Sequence, residues 1–487
     1  MSDCCSNVNV ESVEIKESVG NGSGLHIAIV GTGSSAFAAA IKAVELGAQV
    51  TMIEGADIIG GTCVNIGCVP SKILIRGAHI AHSQHQHNFK GIAFNKPNIN
   101  RKVMVQQQQA MVEKLRYAKY ESILESNPGI NLIRGMAHFK DKSTLMITKA
   151  DGSESNIKAD RILLAVGARA MIPKINGLTN TPYWTSTEAV IADEIPKHLV
   201  VLGGSVVALE LTQAYHRLGS EVTIMARSTL LSSEDIGIGN NLSEILENEG
   251  LNIKLHTVPN NVSHDGKLFT VNTAKGVIHC DRLLVATGRQ SNADTLALDN
   301  AGIAISQTGT IIIDEYMRTN VEHIYAAGDC TNQPQYVYVA AAAGTRAAKN
   351  MTGDDVAIDL SAMPAVVFTD PQVATVGLTE QQANALGIEA DSRKLNLENV
   401  PRALVNLDTR GFIKLVAEKN TGRVIGCQIL AAESGEIIQT AALTISNKMT
   451  VENLANHLFP YLTMVEGLKL TAQTFNKDVK QLSCCAG

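Results

Sequence analysis

Leu25-His26-Ile27-Ala28-Ile29-Val30-Gly31-Thr32-Gly33-Ser34-Ser35-Ala36 joins a short apolar run to a glycine-rich turn. A helical pattern and a second strand pattern follow, and that strand ends at Glu54, 23 positions after Gly31. In this arrangement Gly31, Gly33 and Ala36 let a pyrophosphate approach a helix N-terminus, and the acid binds a ribose hydroxyl. The stretch therefore predicts a Rossmann-like α/β domain that binds a dinucleotide.

A second turn of the same kind lies at residues 199–208. Ser205 replaces the middle glycine of the pattern, so this turn alone is a weaker signal. The position 23 residues after Gly203, where an acid would select NAD, is Ala226, and Arg227 follows it. Because an arginine can bind a 2′-phosphate, the turn predicts NADPH. Arg227 taken alone also fits an ordinary surface charge.

Two cysteines lie five positions apart in Gly60-Gly61-Thr62-Cys63-Val64-Asn65-Ile66-Gly67-Cys68-Val69-Pro70-Ser71-Lys72. Five residues of regular helix rise about 7.5 Å, whereas the Cα atoms of a disulfide lie about 4.4–6.8 Å apart. Gly67 allows the chain to bend between Cys63 and Cys68, and amides at a helix N-terminus favour a thiolate. We interpret the pair as redox-active; the alternative is two unreactive buried cysteines.

Several later strand patterns end in glycine, as if a ligand approached the backbone there. Two of them end at Gly167 and Gly288, and a third delivers Gly328 and Asp329, which suit hydrogen bonds to the ribityl chain of a flavin. Two nucleotide folds in one chain imply two cofactors with electrons passing between them. The predicted cofactor-binding residues are Gly31, Gly33, Ala36, Glu54, Gly61, Thr62, Lys72, Gly167, Gly203, Ser205, Arg227, Gly288, Gly328 and Asp329.

The totals narrow the class of protein. The 487 residues predict about three domains, and a net charge of −6 without a Lys/Arg run argues against nucleic acid as a partner. No apolar run approaches the roughly 20 residues of a membrane span, and residues 1–24 lack the apolar core of a signal peptide. We therefore expect a cytoplasmic protein with no membrane partner, in which nine cysteines serve catalysis or metal binding.

The two ends of the chain each carry adjacent cysteines. Cys4-Cys5 falls in residues 1–24, which we expect to be a disordered lead-in; the alternative is a metal-catching role for Cys4 and Cys5. At the other end, Cys484 and Cys485 have Cα atoms about 3.8 Å apart, below the usual disulfide range, which predicts a dithiol on a mobile tail. Two soft thiolates there suit capture of a soft metal ion; the alternative is an inert tail.

Two helical stretches complete the pattern. The cysteine helix is expected to run to about His82, and the four histidines between 79 and 87 are irregularly spaced with no acid or cysteine among them. A solvated helix end is therefore favoured over a metal site. The second stretch, residues 101–126, carries Tyr117 and Tyr120.

Together, the cysteine segment, the two turns and Gly328-Asp329 resemble the pyridine nucleotide–disulfide oxidoreductases over residues 25–487. Three features resemble the members of that family that reduce Hg(II): the usual His-Pro-Thr-x-x-Glu is Tyr461-Leu462-Thr463-Met464-Val465-Glu466, the chain ends in vicinal cysteines, and residues 368–371 and 459–461 also match. Loss of the acid–base histidine fits this reaction, since Hg(II) reduction requires electrons and thiolates but no proton for a leaving thiol.

The resemblance implies a path for electrons and a path for the metal. NADPH reduces FAD, and FAD reduces the Cys63–Cys68 disulfide, with Cys68 nearer the flavin and Cys63 outside it. Cys484 and Cys485 of the other subunit of a homodimer receive Hg(II) from solution thiols and pass it inward. The implied catalytic residues are Cys63, Cys68, Cys484, Cys485, Tyr120, Tyr461, Lys72 and Glu210, of which the four cysteines are the metal ligands.

The implied fold class is α/β, with two Rossmann-like nucleotide-binding domains (FAD and NADPH) and a C-terminal α+β dimerisation domain. The expected bounds are 1–24 for an N-terminal tail, 25–175 and 291–362 for the FAD domain, 176–290 for the NADPH domain and 363–487 for the dimerisation domain. The alternatives are a dihydrolipoamide- or glutathione-type disulfide reductase, which needs the histidine that Tyr461 replaces, and a mercury-binding flavoprotein without turnover.

Overall fold

The computed structural model describes residues 24–481. Its helices are α1 (Ser34–Glu45), α2 (Gly61–Asn65), α3 (Cys68–Ser83), α4 (Arg101–Arg116), α5 (Ser122–Ser126), α6 (Ser186–Ile191), α7 (Val206–Arg217), α8 (Ile236–Glu249), α9 (Val337–Met351), α10 (Glu380–Ala385), α11 (Pro401–Val405), α12 (Ser434–Ser446), α13 (Val451–Asn456) and α14 (Glu466–Gln473). A π-helical turn covers Tyr117–Glu121 between α4 and α5.

Short strands alternate with these helices. They are β1 (His26–Val30), β2 (Gln49–Glu54), β3 (Ile130–Arg134), β4 (Met136–Asp141), β5 (Thr144–Thr148), β6 (Glu154–Lys158), β7 (Arg161–Leu164), β8 (Ala168–Ala170), β9 (His198–Leu202), β10 (Glu221–Met225), β11 (Asn252–Lys254), β12 (Pro259–His264), β13 (Phe269–Thr273), β14 (Gly276–Cys280), β15 (Arg282–Val285), β16 (Arg289–Ser291), β17 (Ile324–Ala326), β18 (Pro364–Val367), β19 (Gln372–Gly377), β20 (Ala390–Asn396), β21 (Phe412–Glu418) and β22 (Val424–Ala431).

The first compact unit comprises the chain up to Pro70, Gln106–Met171 and Arg289–Asp359. Its main sheet has the order β17-β7-β1-β2-β3 and is parallel throughout. The central strands read as apolar runs because helices cover parallel sheets on both faces. Helix α9 approaches α1 closely: a Cβ added at Gly344 would lie 2.1 Å from the Ser35 carbonyl oxygen.

The second unit comprises Ser71–Val105, Ile172–Gly288 and the chain from Leu360. It contains a parallel sheet in the order β11-β10-β9-β15, an antiparallel sheet β12-β13-β14, and a five-stranded antiparallel sheet in the order β18-β19-β22-β21-β20. Within residues 363–481, α10 and α11 lie between the strands, and α12 to α14 follow the last strand. The predicted α/β class, with two parallel sheets and a C-terminal α+β region, is confirmed.

The structure differs from the sequence pattern between α4 and α5. We predicted one helical stretch over residues 101–126, and instead the helix changes to a π-turn at Tyr117 and resumes at Ser122. The amide of Ser122 donates to the Tyr117 carbonyl, which is the five-residue spacing of a π-helix. Within residues 24–481, no helix has the length and apolar character that a membrane crossing requires.

Candidate active site

The cysteine segment is interrupted where the sequence predicts. Helix α2 ends at Asn65 and α3 begins at Cys68, so Ile66 and Gly67 form the break. A Cβ at Gly67 would lie 3.0 Å from the Thr62 carbonyl oxygen and 3.4 Å from the Cys63 Cα, which shows that the chain folds back here. Cys63 is half-buried and Cys68 exposed, so this break presents the second thiol at the start of a 16-residue helix.

Tyr120 lies beside this segment in the same unit. Its ring contacts Phe37 edge-on with centroids 4.9 Å apart, and it lies 3.4 Å from the Cβ position of Gly60. Burial raises the pKa of Tyr120, and the charges of Cys63 and Cys68 raise it further, against a lowering hydrogen bond from Ser34. The Tyr120 phenol is therefore neutral and close enough to Cys63 and Cys68 to interact with their charges.

The first dinucleotide turn contacts the cysteine segment. Gly31 has φ +111°, and a Cβ there would lie 2.4 Å from the Ala165 carbonyl oxygen. Gly33 and Gly61 face each other so closely that a Cβ on Gly61 would lie 2.7 Å from the Gly33 Cα. The glycines allow this close approach at the N-terminus of α1, where the first amides of a helix have no acceptor within the helix, and the residues fit the pyrophosphate of a bound dinucleotide.

Glu54, the acid predicted to bind a ribose hydroxyl, lies at the end of β2. Val30 pairs with Ile53 in the β1–β2 ladder, so Glu54 stands opposite Gly31. Its carboxylate accepts a hydrogen bond from the Thr32 hydroxyl and another from the Ala56 amide at 2.9 Å. This orientation keeps the acid at the end of the strand, beside the turn.

Gly167, Gly328 and Asp329 follow strands of the same sheet. Gly328 has φ +85° and packs on α1, since a Cβ there would lie 2.9 Å from the Ser35 hydroxyl. Burial raises the pKa of Asp329, opposed by the charge of Arg289, whose guanidinium is 3.5 Å away. A largely buried carboxylate with so distant a cationic partner retains acceptor capacity, which fits hydroxyl groups of a bound cofactor.

The backbone conformation of the second turn shows why Ser205 can stand where the pattern usually has glycine. Gly203 has φ +131°, and its Cβ position lies 2.2 Å from the Ala286 carbonyl oxygen, so glycine is required there. Ser205 instead has φ −104° and ψ −174°, an extended conformation open to any residue. Leu202 pairs with Met225, so Ala226 occupies the place of Glu54, and Arg227 after it is exposed. The turn fits a nucleotide with a 2′-phosphate.

Lys72 and Glu210 form an ion pair within the second unit. The Lys72 ammonium lies 2.7 Å from Glu210 Oε2 and 4.6 Å from the centroid of the Phe368 ring. The Phe368 amide donates to the other oxygen of Glu210 at 2.9 Å. Glu210 is only 4% exposed, so both of its oxygens are committed and the lysine is held in one place.

The remaining predicted residues divide between the described and undescribed parts of the chain. Tyr461 is exposed in the second unit, and Glu466, which follows it in the motif, is buried with one oxygen lacking a hydrogen-bond partner. Cys484 and Cys485, like Cys4 and Cys5, lie outside the described residues. Among residues 24–481, no three His, Cys, Asp or Glu side chains are arranged to hold a metal ion.

Sequence reasoning missed two features of the site. One is a set of hydrogen bonds that links the cysteine segment, through Asn65 and Arg116, to the π-turn that carries Tyr120. The other is the role of Phe368 in fixing the Lys72–Glu210 pair. Phe368 belongs to the matching segment 368–371, but neither contact could be inferred from the sequence, because both join residues that meet only after folding.

Two family models match the chain. One, described as pyridine nucleotide-disulphide oxidoreductase, matches residues 25–344, and the other, described as the dimerisation domain of the same family, matches residues 363–472. A mercuric reductase from Shewanella putrefaciens is 60% identical over 485 residues, covering all of this chain and 86% of that protein. One from Shigella flexneri is 59% identical, covering 97% of this chain and 84% of that protein.

Solved structures resemble the chain at lower identity. The Cu(II) complex of the HOCl-induced flavoprotein disulfide reductase RclA from Escherichia coli superposes with a TM-score of 0.83 and 28% identity. LpdA from Mycobacterium tuberculosis superposes with a TM-score of 0.82 and 28% identity. Each similarity covers 93% of this chain and all of the other.

Proposed function

The chain belongs to the pyridine nucleotide-disulphide oxidoreductases, and from that premise we propose that it is an NADPH-dependent flavoenzyme that reduces Hg(II) to Hg(0) in mercury detoxification. The observation that supports the proposal is the break between α2 and α3 at Gly67, which lies between Cys63 and Cys68, together with the charge interaction of both cysteines with Tyr120. Identity of 60% to a mercuric reductase over the full chain supports the choice of substrate.

The chemistry of the site suits a soft ion. Thiolate ligands select soft metals, and the positive end of the α3 dipole at Cys68 favours a thiolate there. In each turnover two electrons leave NADPH and reach Hg(II), which departs as Hg(0) while both thiolates are released. No thiol must be protonated as a leaving group, so a tyrosine at position 461 serves where a disulfide reductase needs a histidine.

Both cofactors have residues suited to hold them. The first turn, Glu54 and Asp329 would hold FAD. The second turn and Arg227 would hold NADPH. FAD, when bound, supplies a two-electron carrier between the nicotinamide and the thiols. Lys72 and Glu210 contribute a fixed charge pair in the first turns of α3, and Cys63 and Cys68 hold the ion.

We further propose that the protein acts in the cytoplasm as a homodimer, in keeping with the dimerisation-domain match at residues 363–472. Hg(II) arrives as a complex with small thiols. Cys484 and Cys485 of the partner subunit take the ion by thiol exchange and transfer it to Cys63 and Cys68. The tail thus supplies two thiolates for each exchange, so the ion is never released into water.

We expect NADPH oxidation to depend on Hg(II) in the presence of excess small thiol, with Hg(0) collected as vapour. The reason is that the site holds two thiols for the ion but has no acid–base histidine for disulfide turnover. The measurement is NADPH absorbance beside atomic absorption of the headspace, with oxidised lipoamide and oxidised glutathione as control substrates. Turnover with a disulfide but not with Hg(II) would show a disulfide reductase, and tight Hg(II) binding without NADPH oxidation would show a sequestration protein.

Replacing Cys484 and Cys485 together with alanine tests the delivery step. We expect reduction of bound FAD by NADPH to keep its rate, because neither cysteine is among the residues proposed to hold a cofactor. Turnover of thiol-complexed Hg(II) should fall by at least about tenfold, since exchange then has to reach the inner pair directly. Stopped-flow and steady-state rates check both, and unchanged turnover of the thiol complex would remove the tail from the mechanism.

A further inference from the structure

We propose that Arg116 is a positioning residue that holds Tyr120 in register with the Cys63–Cys68 segment. The inference rests on the proposed function in treating those three groups as the place where Hg(II) reacts. It goes beyond that function in assigning a role to a side chain that does not touch the thiols, and it concerns contacts made entirely within the first unit.

The first observation is an ion pair that matches the π-turn. Arg116 Nε lies 2.9 Å from Glu121 Oε1, and these residues flank and end the turn Tyr117–Glu121. In a regular α-helix residues five apart point about 140° away from each other, so this pair could not form. In a π-turn the five-residue spacing is the hydrogen-bonding spacing. The ion pair therefore stabilises the π-turn against the α-helical alternative.

The second observation is the other arm of the same guanidinium. Arg116 Nη1 donates to Asn65 Oδ1 at 3.3 Å, and Asn65 Nδ2 donates to the carbonyls of Ile59 and Gly61 at 2.8 and 2.9 Å. Asn65 is the last residue of α2, which has only five residues. A helix of that length has no stability of its own, so these hydrogen bonds fix the segment that carries Cys63.

One side chain thus links two elements of the site. Arg116 is only 19% exposed, and its two arms determine both the conformation of α2 and that of the turn bearing Tyr120. If the turn relaxed to α-helix, the residues from Tyr117 onward would rotate around the helix axis, and the rotation would reach about 100° at the end of the turn. Tyr120 would then leave its edge contact with Phe37 and its place against Gly60.

The test is a double-mutant cycle in the holoenzyme. We expect Arg116→Met to lower kcat/KM for Hg(II) about tenfold. Reduction of bound FAD by NADPH should stay within about twofold of the wild-type rate, because Arg116 contacts none of the residues proposed to bind NADPH. Tyr120→Phe is the second single variant of the cycle. If Arg116 acts through Tyr120, the double variant should be no slower than the slower single variant, because residues in one network do not add.

A structural readout accompanies the kinetics. Hydrogen exchange of the amides at 117–122 should speed up in Arg116→Met, and the exchanged pair Arg116→Glu/Glu121→Arg should restore protection of the turn while losing the bond to Asn65. Arg318→Met is the matched control, because it removes an exposed Arg–Asp pair in the same unit. It should change neither the exchange at 117–122 nor the rate.

Additive losses in the cycle, or unaltered protection of the turn in Arg116→Met, would overturn the proposal. The exchange measurement needs no turnover. If the wild-type protein failed to reduce Hg(II) while Arg116→Met still lost protection at 117–122, the proposed function would fail and the bracing role of Arg116 would stand. If Hg(II) were reduced and Arg116→Met matched wild type in both readouts, only the bracing role would fail.

Discussion

Replacing Cys68 with serine is expected to lower kcat/KM for Hg(II) by about 10³-fold or more, because removing one member of a group that acts as a unit removes most of its effect. Cys63→Ser should cost a similar amount, and the double variant little more than either. A serine hydroxyl is a hard ligand that stays protonated at neutral pH, so it replaces the thiol in shape but not in metal affinity. Steady-state assays with thiol-complexed Hg(II) give the ratios.

The control for this prediction is a cysteine that the chemistry does not use. Burial raises the pKa of Cys280 to about 12 and that of Cys330 to about 11, and burial also raises the pKa of Cys427. All three are therefore protonated thiols in apolar cores at neutral pH. Cys280→Ala should keep full turnover per folded molecule, whereas full activity in Cys63→Ser would show that the reaction needs only one thiol from this segment.

The sequence predicted those parts of the fold that depend on local pattern. Helix α1 follows the first glycine turn, and strand β2 ends at Glu54, as the pattern after Gly31 predicts. The spacing from Gly31 to Glu54 also places the two residues next to each other, since Val30 pairs with Ile53. This register is fixed by the buried face of each strand.

The site was less predictable where it depends on geometry between distant segments. The break at Gly67 could be inferred from one segment alone, because five residues of regular helix rise further than the Cα separation that a disulfide allows. The π-turn at Tyr117–Glu121 was not predicted, and neither was the hydrogen bond that links Arg116 beside it to Asn65, 51 positions earlier, because that contact forms only on folding. The tolerance of Ser205 likewise required its φ of −104°, which no residue count supplies.

A network of ion pairs in the second unit could not be predicted from the sequence either. Arg217 lies 2.6 Å from Glu249 and 2.8 Å from Asp370, and His79 lies 3.2 Å from the same aspartate. Arg217 and Glu249 are 3% and 4% exposed. Because this network ties α3, α7, the end of α8 and the segment before β19 together, it supports the helix that begins at Cys68.

The protonation states follow from the same contacts. Burial alone would raise the pKa of Asp370, but a hydrogen bond with His79 and the charges of Arg217 and Arg410 outweigh it, so the pKa lies well below its usual range. Burial of Glu249 is likewise outweighed by its hydrogen bond and charge interaction with Arg217, which lower the pKa of Glu249. Both carboxylates therefore stabilise the fold above their unfolded pKa values, and that stability is lost as the pH falls.

Arg217→Met is expected to destabilise the second unit by about 3–5 kcal/mol at pH 7, because it leaves the buried Glu249 and the half-buried Asp370 without their main cation. Urea unfolding of the holoenzyme, followed by the fluorescence of Trp184, the single tryptophan, measures the change. Arg393→Met, which removes a partly exposed ion pair of the same unit, should cost no more than about 1 kcal/mol. The gap between wild type and Arg217→Met should narrow as the pH falls below about 4, where the carboxylates become protonated in the unfolded chain. A gap that stayed constant down to pH 3, or equal losses in both variants, would mean that packing of the Arg217 side chain and not its charge holds these helices together.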